Sequence, residues 1–184
     1  MAQISLNSLM NKSLAPTYSE EIAAPFRQEL TEAGFEQLLT PEDVEKALNK
    51  KDGKISLVVL NSVCGCAARA ARPGVLLSLF NEVVPDNLVT IFAGMEKDAV
   101  NYFRKNFLPT VTPSSPNIAL FKNGEFVKLL ERHQIEGKSA GQIADELDNA
   151  YDKECINKNT EETISHLRSN FIKRYQVDPL GVKK

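Results

Sequence analysis

The sequence at positions 55–60 reads Ile-Ser-Leu-Val-Val-Leu, an almost continuous apolar run. Such a run is typical of a central strand that is buried on both of its faces. A strand of this kind needs covering layers above and below it, which favours a sheet with helices on either side. This one run therefore constrains the fold of the 184-residue chain more than any other feature.

Periodic segments around this run predict an alternating order of helices and strands. The apolar spacing predicts helices at residues 19–33, 40–50, 67–84 with a kink at Pro73, 97–107 and 139–151. It predicts further strands at residues 88–92, 117–121 and 125–130. Asn123-Gly124 between the last two strands indicates a tight hairpin. Two strands joined through a helix run parallel, whereas a hairpin adds antiparallel strands. We therefore predict an α/β fold with a mixed central sheet and helices on both faces.

Cys64-Gly65-Cys66 lies where the buried strand gives way to a helix. Only the thiolate form of cysteine is nucleophilic, and a helix start stabilises negative charge. We therefore expect a lowered thiol pKa at this position. Gly65 allows a tight turn between the two cysteines. We predict that both are catalytic, with Cys64 as the attacking thiol and Cys66 as the resolving thiol.

Two other interpretations of the cysteine pair stay open. The cysteines can be ordinary buried residues, or they can hold a soft monovalent metal ion. Two thiolates leave a tetrahedral ion two ligands short, and Cys155, His133 and His166 do not have ligand spacing. The pattern therefore favours redox chemistry, with no bound cofactor and no metal.

The proline loop before the predicted hairpin contains Ser115-Pro116. This layout resembles the thioredoxin fold, a three-layer sandwich with its redox motif at the end of the first central strand. In that fold a cis proline at this place lies beside the redox cysteines and exposes backbone groups to an extended substrate. The resemblance implies a cis bond before Pro116 and a substrate-binding role for Gly65, Ser115 and Pro116.

Composition bears on the partners. Lys and Arg number 22 against 24 Asp and Glu, and this net charge of −2 provides no basic field for nucleic acid or an anionic membrane. The chain begins without a secretory pattern and has no run of ~18 apolar residues. We expect a cytoplasmic protein whose partners are neither nucleic acid nor membrane.

The chain divides into three predicted parts. Residues 1–18 are expected to be a flexible N-terminal segment, and residues 19–155 the thioredoxin-like domain. Residues 156–184 are expected to be a C-terminal amphipathic helical extension and tail, which packs on the domain, forms a dimer or binds a partner. The apolar stripe of this extension is Ile164, Leu167, Phe171 and Tyr175.

Several stretches together resemble the bacilliredoxin family, from about residue 19 to about residue 155. They are residues 61–68 with Ala71-Arg72-Pro73, Phe92-Ala93-Gly94, residues 113–116, and Arg132-His133 followed by residues 135–137. Arg69 departs from the small residue expected at its position. Family members often carry a further cysteine near Cys155, which makes Cys155 a possible accessory thiol.

The resemblance implies an activity. Bacilliredoxins remove bacillithiol, a low-molecular-weight thiol that serves as co-substrate, from S-thiolated cytosolic proteins. In this chain Cys64 would attack the bacillithiol sulfur, and Cys66 or a second bacillithiol would resolve the intermediate. A flavin-dependent bacillithiol disulfide reductase would be the downstream partner. The alternatives are a general thioredoxin-like protein disulfide reductase or isomerase and, from another class, a soft-metal-binding module.

Overall fold

A mixed five-stranded sheet forms the centre of the protein. The computed structural model describes residues 13–182. The strands, in chain order, are β1 (Glu36–Gln37), β2 (Ile55–Asn61), β3 (Val83–Val84), β4 (Asn87–Phe92), β5 (Asn117–Lys122), β6 (Glu125–Leu130) and β7 (Asn157–Lys158). The central sheet has the order β1-β4-β2-β5-β6, and β3 and β7 form a separate two-stranded sheet.

Helices cover both faces of the central sheet. They are α1 (Glu20–Thr31), α2 (Pro41–Leu48), α3 (Arg72–Ser78), α4 (Lys97–Phe107), α5 (Arg132–Ile135), α6 (Ala140–Glu154), α7 (Glu161–Tyr175) and α8 (Pro179–Val182), with a π-helical turn, Ala67–Ala71, directly before α3. Helices α1, α3, α6 and α7 pack on one face, and α2 and α4 pack on the other. No helix within residues 13–182 is long and apolar enough to cross a membrane.

The prediction that the apolar run is a central strand buried on both faces is confirmed. Every residue of β2 is buried. Alternate side chains point to opposite faces of a strand, so Leu57 and Val59 enter the core under α3 and α6, while Val58 and Leu60 enter the core under α2 and α4. Because both cores share β2, the residues that follow this strand have a fixed position at its carboxyl end.

The predicted strand directions are also confirmed. Val58 of β2 pairs with Val89 of β4 in parallel and with Ala119 of β5 in antiparallel orientation. The Asn123-Gly124 hairpin is present, and both residues have positive φ, 53° and 85°. Asparagine and glycine tolerate this conformation, which is why the pair is such a strong turn signal. The layers and strand order give the predicted thioredoxin-like sandwich.

The predicted helix at residues 67–84 is wrong in its second half. Helix α3 ends at Ser78, and Val83 instead pairs with Lys158 of β7. The chain directly before Pro73 forms the π-helical turn, in which the N–H of Arg72 bonds to the carbonyl of Ala67, so the regular α-helical pattern is interrupted next to the predicted kink. The β-branched pair at positions 83 and 84 suits a strand, but its partner is distant in sequence.

The C-terminal extension is helical and packs on the domain in this structure. It begins with the strand β7, which the sequence did not predict, and continues as α7. Leu167 and Phe171 of α7 are buried, and the ring of Phe171 meets that of Phe80 edge to face with centroids 6.4 Å apart. Of the segment expected to be flexible, residues 1–12 lie outside the described residues.

Candidate redox site

Cys64 and Cys66 lie between the end of β2 and the π-helical turn. They are joined by a disulfide, and their Cα atoms are 5.5 Å apart. Both side chains are half-buried, whereas Gly65 between them is exposed. The pair therefore meets solvent at the carboxyl-terminal edge of the central strands.

Two hydrogen-bond donors point at the Sγ atom of Cys64. The hydroxyl of Ser62 donates over 3.2 Å, and the backbone N–H of Ala67 donates over 3.4 Å. Donors aimed at a sulfur stabilise its thiolate form, because they are worth more to a charged acceptor than to a neutral one. This arrangement favours Cys64 as the thiol that carries negative charge in the reduced protein.

Gly65 does not have the role that its sequence position suggested. Its φ lies outside the left-handed region, and a Cβ added there would meet no heavy atom within 4 Å. The tight turn therefore does not require glycine. The missing side chain leaves open space at the exposed position between the two cysteines.

Arg72 lies fully buried under the loop that carries Cys64. Its Nη1 atom donates to the backbone oxygen of Ser62 over 2.9 Å and to Oδ1 of Asn61 over 3.1 Å. Its Nε atom pairs with the Glu29 carboxylate over 2.6 Å. Its guanidinium carbon is 4.8 Å from the ring centroid of Phe26. Arg72 thus braces the loop instead of contacting a sulfur, whereas Arg69 is exposed.

Asn61, the last residue of β2, ties this loop to its neighbours. Its Oδ1 atom also accepts from the N–H of Ser62 over 2.8 Å, and its Nδ2 atom donates to the carbonyl of Phe26 over 3.0 Å. Its own carbonyl accepts from the N–H of Ala93 over 2.9 Å. A buried amide with its groups satisfied in this way holds the start of the redox loop in one position.

The proline loop enters the sheet through β5, next to the end of β2 from which the cysteine loop continues. The bond between Ser115 and Pro116 is cis, as predicted. Asn117, the next residue, pairs with Leu60 near the end of β2. The carbonyl of Ser114 accepts a hydrogen bond of 2.9 Å from Arg104, which fixes the loop from the α4 side. The structure therefore brings the predicted substrate-binding residues to the edge where Cys64 lies.

A small apolar cluster includes Val63, the residue directly before Cys64. Val63 packs with Tyr18 and Phe26 against Phe92. The backbone N–H of Thr17 donates to the carbonyl of Gly94 over 2.6 Å. An added Cβ at Gly94 would lie 2.8 Å from the ring of Tyr18, so the glycine lets that ring approach closely.

Cys155 is not part of this site. It is buried at the end of α6, and burial, reinforced by Asp86, raises the pKa of its thiol to about 12. Asp86 is bonded to Ile55, the first residue of β2, whereas Cys64 follows the last one. At about 3.3 Å per residue the strand spans roughly 20 Å. Cys155 therefore lies near the opposite end of β2 from Cys64.

The two histidines lie outside the redox loop, one on α5 and one on α7. His133 is exposed on the short helix α5, and the Nε2 atom of His166 on α7 lies 3.2 Å from the carbonyl of Glu32. Among residues 13–182 there is no group of three or more His, Cys, Asp and Glu side chains that could hold a metal ion.

Sequence reasoning missed Glu29 and gave no role to Asn61 and Ser62. A sign existed for Asn61, because an amide that ends an apolar strand needs buried partners. Glu29 carried no such sign, since it belongs to a helix rich in charged residues.

Comparison with known proteins agrees with the geometry. A family model described as disulphide isomerase matches residues 18–155. A bacilliredoxin of Cytophaga hutchinsonii is 53% identical over 74% of this chain and 98% of its own length. Bacilliredoxins of Halalkalibacterium halodurans and Staphylococcus aureus are 46% and 44% identical, each over 75% of this chain and 94% and 93% of their own lengths. Residues 156–184 lie beyond the family match. The chain therefore belongs to the bacilliredoxin family and is a thiol–disulfide oxidoreductase.

Proposed function

We propose that this protein removes bacillithiol from S-thiolated proteins, with Cys64 as nucleophile and Cys66 as resolving thiol. The observation that supports these roles is the pair of donors, the Ser62 hydroxyl and the Ala67 amide, aimed at the Cys64 sulfur. They favour the thiolate on the cysteine that attacks first.

The proposed reaction has two exchange steps. The Cys64 thiolate attacks the bacillithiol sulfur of the mixed disulfide, the bond to the target protein breaks, and the target leaves as a thiolate. The Cys66 thiolate then attacks Cys64 Sγ, and bacillithiol leaves as a thiolate. Two electrons pass from the dithiol to the mixed disulfide. The product is the intramolecular disulfide present in the structure.

Surfaces around the cysteines suit this use. The open space at Gly65 gives a mixed disulfide access to Cys64. The Ser115–Pro116 backbone and the apolar cluster at Val63 border the same edge and would hold the chain of the target protein. We propose the cytosol as the site of action, since its reducing poise keeps the pair as a dithiol. Bacillithiol, with a flavin-dependent bacillithiol disulfide reductase, would return the disulfide to the dithiol.

A general protein disulfide reductase or isomerase is the second candidate. It is favoured by the description of the matching family model. Both activities use the same cysteines, so the choice rests on the substrate: a small-thiol mixed disulfide or a disulfide between two protein cysteines.

Mass spectrometry after mixing with a bacillithiolated model protein separates these candidates. In the Cys66→Ala variant we expect one bacillithiol on Cys64 while the model protein emerges as a free thiol. The Cys64→Ala variant should take up none, and the Cys155→Ala control should behave as wild type. If no variant takes up bacillithiol while the wild type reduces or reshuffles protein disulfides, the second candidate replaces the first. One equivalent of a soft metal after reducing purification, lost in Cys64→Ala, would instead support a metal-binding module.

A further inference from the structure

The extension beyond the family match contacts Glu29 of α1, which pairs with the arginine under the redox loop. The hydroxyl of Tyr175, at the end of α7, donates to Oε2 of Glu29 over 3.2 Å. The same carboxylate oxygen accepts from Nε of Arg72 over 2.6 Å. Arg72 in turn donates to the carbonyl of Ser62, whose hydroxyl donates to Sγ of Cys64. Four contacts thus connect the extension to the attacking sulfur.

The buried positive charge of Arg72, in the middle of these four contacts, is only partly compensated. Arg72 has no exposed surface, while the Glu29 side chain is 14% exposed. Within residues 13–182, the Nη2 atom of Arg72 has no hydrogen-bond partner. Charges interact more strongly in a buried setting than in water. The fraction of positive charge that Arg72 presents to the redox loop therefore depends on how strongly Glu29 offsets it.

Tyr175 acts on that balance, because its hydroxyl shares the Glu29 oxygen with Arg72. A donor on a carboxylate draws part of its negative charge away from its other partner. With Tyr175 bonded, Glu29 offsets Arg72 less, and a thiolate at Cys64 is stabilised more. Arg174 is adjacent but pairs with Glu32 instead, over 2.8 Å.

We propose that the C-terminal extension tunes the redox equilibrium of the Cys64–Cys66 pair, with Tyr175 and Glu29 as positioning residues that act through Arg72. This inference rests on the proposed function only in that the pair exchanges thiols; it does not require bacillithiol. The reduced form gains from a stabilised thiolate, so the hydroxyl of Tyr175 makes the disulfide easier to reduce.

The test is the equilibrium of the full-length protein with glutathione buffers. Two glutathione thiols reduce the disulfide and leave as glutathione disulfide, and mass spectrometry of alkylated samples gives the dithiol fraction. Tyr175→Phe keeps the ring, which packs on Phe171 with centroids 4.6 Å apart, and removes only the hydroxyl. We expect the equilibrium constant for reduction to fall about fivefold, the lower end of typical coupling between sites. For a two-electron couple this corresponds to about 20 mV.

Two further variants distinguish a specific effect on the redox equilibrium from a general loosening of the packing of α7. Glu29→Gln removes the offsetting charge, so the equilibrium constant should rise, in the direction opposite to Tyr175→Phe. Arg174→Gln breaks the neighbouring ion pair between α7 and Glu32, the residue after α1, and should leave the constant unchanged. The proposal is overturned if Tyr175→Phe equals wild type, or if Tyr175→Phe and Arg174→Gln lower the constant equally. Should Glu29→Gln not fold, the comparison of the other two variants still decides.

Failure of this inference and of the proposed function remain distinguishable. The glutathione equilibrium contains no bacillithiol, so a shift in Tyr175→Phe without transfer of bacillithiol would contradict only the proposed function. Transfer of bacillithiol with identical equilibria in all variants would contradict only the tuning role of the extension.

Discussion

The side-chain hydroxyl of Ser62 donates a hydrogen bond of 3.2 Å to the Sγ atom of Cys64. The backbone of the same serine is held by Arg72 and by Asn61. The donor is therefore in place before any thiolate forms. A preorganised donor of this kind stabilises charge without a reorganisation cost at the moment of reaction.

Replacing Ser62 by alanine should make Cys64 less reactive. A hydrogen bond to a charged group contributes about 1.5–3 kcal/mol, and about 1.4 kcal/mol corresponds to one pKa unit. Loss of the hydroxyl therefore leaves a smaller fraction of the reduced Cys64 thiol as thiolate at a given pH. At neutral pH we expect alkylation to slow roughly tenfold.

The measurement is the rate of iodoacetamide alkylation against pH, with Cys66 and Cys155 replaced by alanine so that Cys64 alone reacts. Ser169→Ala, at an exposed position on α7, is the matched control and should leave the profile unchanged. An identical midpoint in Ser62→Ala and its parent would show that the hydroxyl does not stabilise the thiolate.

Gly65→Ala should hinder substrate access to Cys64 without changing the stability of the fold. An added Cβ meets nothing within 4 Å in the protein itself, so the urea midpoint should stay as in wild type. A substrate that uses the open space would collide with the new methyl group. We expect exchange with a mixed disulfide on a protein to slow roughly tenfold, a penalty of about 1.4 kcal/mol. Unchanged exchange rates would mean that substrates do not approach over Gly65.

Cys155 predicts a specific loss of stability in alkaline solution. Burial raises its pKa from the ordinary 9.0 to about 12. Between these pH values the thiol of the unfolded chain releases its proton while the folded chain keeps it. The unfolded state is therefore stabilised relative to the folded state. The free energy of unfolding should therefore fall by about 1.4 kcal/mol per pH unit above pH 9 through this thiol. Below pH 9 the contribution of the neutral thiol is fully present.

Urea unfolding of the protein and of its Cys155→Ala variant at several alkaline pH values measures this loss. Cys64 and Cys66 are replaced by alanine in both, so that no disulfide exchange occurs. The two stability curves should converge as pH rises, because only the parent loses the contribution of the thiol. Parallel curves would contradict a raised pKa at Cys155.

Gly74 and Gly141 offer a matched pair of alanine substitutions. A Cβ on Gly74 would lie 2.6 Å from Cβ of Ile143 and 2.9 Å from the carbonyl of Ala140, so α3 and α6 would have to separate. Overpacking of this kind costs about 1–3 kcal/mol. A Cβ on Gly141 has its nearest neighbour at 3.8 Å, the Ser139 hydroxyl, and should stabilise α6 by about 0.5–1 kcal/mol.

Urea titrations of both variants give the two free energies of unfolding. A Gly74→Ala variant as stable as wild type would show that α3 and α6 can move apart at little cost. Since α3 carries Arg72, the same variant also reports whether that spacing affects alkylation of Cys64.

The parts of the fold that follow local rules were predictable from the sequence. The strand β2, the hairpin at Asn123-Gly124 and the helix starts near Thr40 and Ser139 each depend on residues a few positions apart. The pairing of Val83 with Lys158 depends on a segment far along the chain, so Val83 was assigned to the preceding helix. The strand β1 has two residues, too few for a period to show.

The residues of the candidate site also fall into those that the sequence predicts and those that it does not. Cys64 and Cys66 were evident from the motif and its place after a strand. The partners of Glu29 were not, because Arg72 lies 43 positions away and Tyr175 lies 146 positions away. Contacts of that separation arise from how layers pack, which residue types and spacing do not reveal.

The position of α7 along the chain has a consequence for synthesis. Domains generally fold as units while the chain is still being made. The segment from α1 to α6 contains the whole redox loop with Glu29 and Arg72, and it leaves the ribosome before Tyr175 does. The elements that hold the cysteine motif and its ion pair are therefore synthesised before the residue that supplies the tyrosine hydroxyl. On the tuning role proposed above, docking of α7 would be the step that completes the electrostatic surroundings of Cys64.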